Sequence, residues 1–129
     1  MIIDTSALIC VFFDEPETSV FAAAMERTSI LRMGAPLYVE ACIVAASRHG
    51  PAALPKLELF TQISNIEIIP FTRNAARVAS DAFVRYGKGR HKAGLNYADC
   101  MSYALAKTEL MPLLFKGSDF SQTDVESAL

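Results

Sequence analysis

Four acidic residues stand where charge is hard to accommodate. Asp4 is the only charged residue from Met1 to Phe13, Glu40 the only one from Met33 to Ser47, and Asp99 the only one from Gly94 to Ala106. Asp119 follows an apolar run, Pro112 to Phe115, by way of Gly117 and Ser118. An ionised carboxylate buried without a partner costs several kcal/mol at least. Each of the three enclosed acids therefore needs local hydrogen bonds or a share in a cation. No basic residue lies within those three segments. A carboxylate cluster without histidine or cysteine suits hard cations, magnesium first and manganese as a substitute. Such ions offset mutual repulsion and keep the acids ionised. Taken singly, each acid also has a plain reading. Asp4 caps a helix, Glu40 faces solvent, Asp99 complements a helix dipole, and Asp119 belongs to a turn.

These acids sit on elements that alternate. Met1-Ile2-Ile3 reads as a short buried strand ending at Asp4, with Thr5 and Ser6 starting a helix through Phe13. A second helix is expected from the acidic stretch at Asp14 to Thr18 on to about Arg27, then a strand over Ser29 to Met33. Pro36 suits the first turn of a helix that runs to His49 and stops at Gly50-Pro51. A helix over Ala52 to Ile63, a strand over Ile66 to Phe71 and a helix capped by Thr72 follow. The stripe Ala75, Val78, Ala79, Ala82, Phe83, Tyr86 defines the buried face of that last helix. A flexible, glycine-containing loop over Gly87 to Leu95 leads into a helix over Tyr97 to Glu109. Pro112 to Phe115 is the last clear strand, and the tail beyond Asp124 suggests a short edge strand. Strands separated by helices imply an α/β fold with a central, mostly parallel sheet covered on both faces. Ligands of such sheets sit beyond the carboxyl ends of the strands, and Asp4 and Asp119 both fall there.

Composition narrows the class. A length of 129 residues with 52% hydrophobic and 20% charged side chains fits one folded domain spanning 1–129 and excludes a disordered chain. Cys10, Cys42 and Cys100 are odd in number and widely spaced, which argues for reduced thiols and against a zinc site. The start has no basic region ahead of an apolar run, so it is not read as a signal peptide, and no stretch suits a membrane span. The expectation is a soluble protein of the cytoplasm. Net charge is −2, but the basic residues are unevenly spread. Six of the twelve fall between Arg73 and Lys92, against one acid, Asp81. The loop residues Lys88, Arg90 and Lys92 are candidates for binding a phosphate backbone. His49 and His91 read as surface residues, and no protein general base stands out.

The motifs taken together resemble the PIN-domain family, and within it the VapC toxins of bacterial toxin–antitoxin pairs. Met-Ile-Ile-Asp4-Thr5-Ser6-Ala7 is similar to the family's opening. Glu40 on a helix, Asn96-Tyr97-Ala98-Asp99-Cys100 and Leu114-Phe115-Lys116-Gly117-Ser118-Asp119-Phe120 resemble its other acidic motifs, and the match covers the whole chain in order. Ser118 departs from the Asn of many relatives. The resemblance implies a PIN-like three-layer α/β/α fold and a magnesium-dependent endoribonuclease. Asp4, Glu40, Asp99 and Asp119 would be its catalytic, metal-binding acids, with Thr5, Ser6 and Ser118 orienting them. It also implies a VapB-type antitoxin that restrains the enzyme, with Met25, Leu31 and the aliphatic residues near Pro36 as apolar anchors, and a homodimer or a hetero-oligomer with that antitoxin. Two other classes compete. A small phosphatase using Asp4 as nucleophile is one, although Ser6 stands where such enzymes place a second Asp. A non-catalytic RNA-binding or scaffold module is the other.

Overall fold

The computed structural model describes residues 1–129. The chain runs β1 (Ile2–Ile3), α1 (Thr5–Phe12), α2 (Thr18–Glu26), β2 (Leu31–Gly34), α3 (Ala35–His49), α4 (Ala53–Ile63), β3 (Ile66–Ile69), α5 (Arg73–Tyr86), α6 (Tyr97–Glu109) and β4 (Leu113–Leu114), then a 3-10 turn at Asp119–Gln122. Four strands form one sheet in the order β3-β2-β1-β4, flanked by the six helices. Every strand pair is parallel, with Ile2 opposite both Arg32 and Leu113. Parallel strands this short survive because both faces are covered: Ile2, Ile3, Met33, Leu113 and Leu114 are fully buried. They belong to a contiguous core of 30 buried residues.

The strand order makes a switch. The chain steps outward from β1 to β2 to β3, then returns to place β4 on the other side of β1. The crevice beyond the carboxyl ends of β1 and β4 is therefore the place where this class of sheet holds ligands. Asp4 directly follows β1, and Asp119 follows β4 by five residues.

Local chemistry sets the elements that bear the acids. Asp4 is the N-cap of α1 and accepts the Ser6 amide at 2.8 Å. Gly34 opens α3, with Pro36 in its first turn, and packs so closely that a Cβ there would stand 2.3 Å from the Leu105 side chain on α6. A side chain at this position would force the end of the Leu105 side chain to move. Asn96 and Asp99 form a reciprocal capping box at the start of α6.

Most of the expected elements hold within a residue or two, and four details differ. The strand expected over Ser29 to Met33 is shifted to Leu31–Gly34, and that expected over Ile66 to Phe71 ends at Ile69. The tail is not a full edge strand but a single parallel bridge, Leu113 to Ser127. The loop after α5 is a closed turn, not an open one. Leu95 N–H donates to the Tyr86 carbonyl at 2.9 Å and Lys88 N–H to the Leu95 carbonyl at 3.0 Å. Inside it, His91 Nδ1 accepts the Ala93 amide at 3.1 Å and its ring meets Tyr86 edge-on. His91 is thus a structural member of the turn, where it was expected to be a surface residue. No helix is long and apolar enough to cross a membrane, and all three cysteines are free thiols.

Candidate active site

A pocket of about 290 Å³ opens at the switch point, and Asp4, Glu40, Asp99 and Asp119 all line it. Four separate elements deliver them: the cap of α1, the second turn of α3, the first turn of α6 and the 3-10 turn after β4. Burial is graded across the four. Asp4 is 5% exposed, Glu40 and Asp99 are half-buried, and Asp119 is exposed.

Asp4 is held from three directions. Its Oδ2 accepts the Ser6 amide at 2.8 Å and the Ser6 hydroxyl at 2.5 Å. Its Oδ1 accepts the Ser102 hydroxyl at 2.5 Å. Ser6 Oγ also accepts the Lys116 amide at 3.0 Å, which ties the β4 exit to the cap of α1. These donors are what make a carboxylate at the centre of the fold tolerable. Asp99 Oδ2 accepts the Asn96 amide at 2.8 Å. The plain reading of Asp4 as a helix cap and of Asp99 as a first-turn acid thus holds alongside their place in the pocket, because each carboxylate does both.

Like charges register on Asp99. Its pKa is pushed up to about 6, chiefly by burial, with Asp4, Asp119 and Glu40 adding repulsion and the Asn96 amide working the other way. Burial and like-charge neighbours together are what raise a carboxylate in this way.

The supporting residues fall out unevenly. Ser6 reaches Asp4. Thr5 lines the pocket, but its hydroxyl donates to the Leu37 carbonyl at 3.2 Å and so ties α1 to α3. Ser118 is exposed and stays off the pocket wall. Ser102, fully buried one turn beyond Asp99, binds Asp4 and was missed from sequence. Its signal was present: Ser102 lies three residues after Asp99, on the inner face of an apolar helix. Arg48 was missed as well. It lines the pocket, one residue beyond the segment read as free of basic groups. Lys88, Arg90 and Lys92 are exposed on the closed turn that precedes α6, with the Arg90 guanidinium 5.7 Å from the Phe83 ring centre.

Another grouping of potential ligands lies nearby. Cys10, Glu15 and Glu17 bring ligand atoms within 4.8 Å of one another. Lys116 already fills that role: its Nζ donates to Glu15 and to Glu17, each at 2.8 Å. With an ammonium between the carboxylates and a raised thiol pKa on buried Cys10, this group is an ion-pair network rather than a metal centre.

The chain has relatives among known proteins. The PIN domain family model matches residues 1–126. Ribonuclease VapC30 of Mycobacterium tuberculosis is 43% identical over 125 residues, covering 97% of this chain and 95% of that protein. Ribonuclease VapC of Mycolicibacterium smegmatis is 43% identical over 125 residues, 97% of each chain. Among solved structures, the fold is similar to the sarcin-ricin loop cleaving toxin VapC20 of Mycobacterium tuberculosis, with a TM-score of 0.78 at 12% identity over 96% of this chain and 95% of that one. It is also similar to a toxin–antitoxin complex from Klebsiella pneumoniae, with a TM-score of 0.70 at 18% identity over 95% and 92%. At these identities the two structures speak for the fold alone.

Proposed function

This chain belongs to the PIN-domain family, and from that premise we propose that it is a magnesium-dependent endoribonuclease toxin of the VapC type, acting on cellular RNA in the cytoplasm. The observation that carries the reading is the pocket at the switch point, lined by four carboxylates and by no histidine or cysteine. That donor set fits a hard divalent cation, magnesium or manganese, and not zinc. Asp4, Glu40, Asp99 and Asp119 would hold the ion, directly or through its waters. When bound, it supplies Lewis acidity towards phosphate oxygens and towards water.

The protein's own residues do the rest. Ser6 and Ser102 fix both oxygens of Asp4, so this carboxylate presents its remaining lone pairs in one orientation. The Asn96 amide fixes one oxygen of Asp99 and leaves the other for the pocket. Exposed Asp119 closes the rim where substrate enters.

A VapB-type antitoxin is proposed as the restraining partner. The anchors expected from sequence separate into two clefts. Met25 and Leu31 line one of about 410 Å³ with Val11 and Phe60. Pro36 lines another with Val39 and Ile43 that also touches Glu40. Exposed Val39 and Ile43 on α3 and Tyr97 on α6 line that second cleft and support a homodimer through it. Sequencing RNA ends after brief expression, beside an Asp4→Asn control, tests the activity. New, discrete 5′ ends are expected with the natural chain only, and identical end profiles would end the ribonuclease reading.

A further inference from the structure

Among the residues lining the acidic pocket there is one cation, Arg48. We infer that Arg48 is the receptor for an RNA backbone phosphate at the rim of that pocket, a role that rests on the ribonuclease reading. Arg48 stands in the last turn of α3, two turns beyond Glu40. Its guanidinium is held at two points. Nη1 donates to Glu15 Oε1 at 2.7 Å, and the guanidinium carbon lies 5.3 Å from the centre of the Phe13 ring. Glu15 is itself fixed by Lys116 at 2.8 Å, and the pKa of Glu15 is lowered by its bonds to Lys116 and Arg48.

This tether has two chemical consequences. A guanidinium carries five N–H donors, and the Glu15 bond is the only one Arg48 makes within the protein. The side chain is 49% exposed, so the remaining donors form a pre-oriented fork of the kind that binds phosphate in two-point fashion. The second consequence concerns the acids. Arg48 makes no ion pair with Asp4, Glu40, Asp99 or Asp119; its ion pair is with Glu15. The pocket carboxylates stay available for a metal, while a guanidinium that shares its charge with Glu15 stays at their edge. An RNA phosphate nearing four carboxylates is repelled, and a cation held at the rim opposes that repulsion without neutralising the site.

A purely mechanical role would be to clamp the end of α3 to the turn after α1, and the test separates the two. A labelled single-stranded RNA oligonucleotide is titrated against the protein in an Asp99→Asn background, so that it is not cut, over a range of salt concentrations. Arg48→Gln is expected to weaken binding about tenfold and to flatten the salt dependence by about one phosphate contact. Arg48→Lys, which keeps charge but loses the fork, is expected to recover part of the affinity. Glu15→Gln removes an acid beside the fork and is expected to tighten binding at low salt. Equal losses of thermal stability in Arg48→Gln and Glu15→Gln, with an unchanged salt slope, would reduce Arg48 to a clamp and overturn the proposal alone. RNA that neither binds nor is cleaved by the natural chain would overturn the ribonuclease reading and this inference with it.

Discussion

Two groups of carboxylates lie side by side in this molecule and behave in opposite ways. Glu15 and Glu17 share Lys116, Arg48 also holds Glu15, and both acids have lowered pKa values, with the Lys116 hydrogen bonds as the leading cause. Asp99, in the pocket, is raised to about 6 by burial and by three neighbouring acids. The first group is internally compensated and stabilises the ionised fold. In the second, burial and neighbouring acids make ionisation of Asp99 costly, and on the proposed function a bound cation would relieve that cost. Acid content is the same kind in both; the difference is whether the fold supplies the counter-charge. Four acids that make no ion pair within the protein, gathered at a topological switch point, are what the proposed metal site rests on.

The sharpest way to break this contrast is Asp99→Asn. Asparagine is nearly isosteric and can still accept the Asn96 amide, so the helix cap survives. Cleavage should fall by roughly three orders of magnitude or more, as for the loss of a principal electrostatic group. The unfolding midpoint in chelator at neutral pH should rise, because repulsion is removed. Activity within tenfold of the natural chain, with contaminating nuclease excluded, would place the chemistry elsewhere.

Ser102→Ala comes next. It removes a buried hydroxyl that donates to a carboxylate, and charge-assisted bonds of this type are worth roughly 1.5–3 kcal/mol. Denaturant unfolding should show a loss of about 2 kcal/mol, with a partial loss of cleavage as Asp4 gains freedom. A stable variant with full activity would mean that Ser6 alone orients Asp4.

How much of this was legible in the sequence follows from what pattern can encode. The acids announced themselves because charge is conspicuous in apolar runs, and the motifs placed them at element ends. The helix from Tyr97 to Glu109 was legible in its extent, although the way it ends was not: Leu110 adopts the left-handed conformation that sequence reading reserves for glycine or asparagine. Ser102 was hidden because serine inside a helix reads as bland. Arg48 and Lys116 were hidden for another reason. Their partners, Glu15 and Glu17, lie 33 and about 100 residues away in sequence, and periodicity describes faces, not which helix end meets which turn. The loop after α5 read as flexible because glycines were counted and the hydrogen bonds that close it were not.

The pH response sharpens the comparison from both sides. In chelator, Asp99 holds its proton more tightly in the folded chain than in the unfolded one. Its contribution therefore favours the fold at low pH, declines as pH rises from about 4 to about 6, and is constant above. Glu15 and Glu17 run the other way: their stabilisation is present above the ordinary carboxylate range and is lost as pH falls through their lowered values. Subtracting the midpoint-against-pH curve of Asp99→Asn from that of the natural chain isolates the first effect. The difference should flatten above pH 6, and magnesium affinity should fall as pH drops through the same value. A flat difference curve would show that Asp99 feels no net penalty in the fold.

The smallest expected effect lies in the basic turn. Lys88, Arg90 and Lys92 are exposed, and Arg90 is partly occupied by its stacking on Phe83. Exposed charges at a screened surface contribute little individually, so Arg90→Gln with Lys92→Gln should weaken RNA binding only severalfold. The diagnostic is the slope of binding against salt, which should drop by up to two contacts, since each neutralised phosphate contact adds about 0.7–0.9 to it. Bases are not read by such contacts, so the loss should be uniform across RNA sequences. The turn's hydrogen bonds use backbone groups and His91 rather than these side chains, so the unfolding midpoint should not move. An unchanged slope would make the turn an ordinary solvated face and leave attraction of the backbone to the acidic pocket's own surroundings.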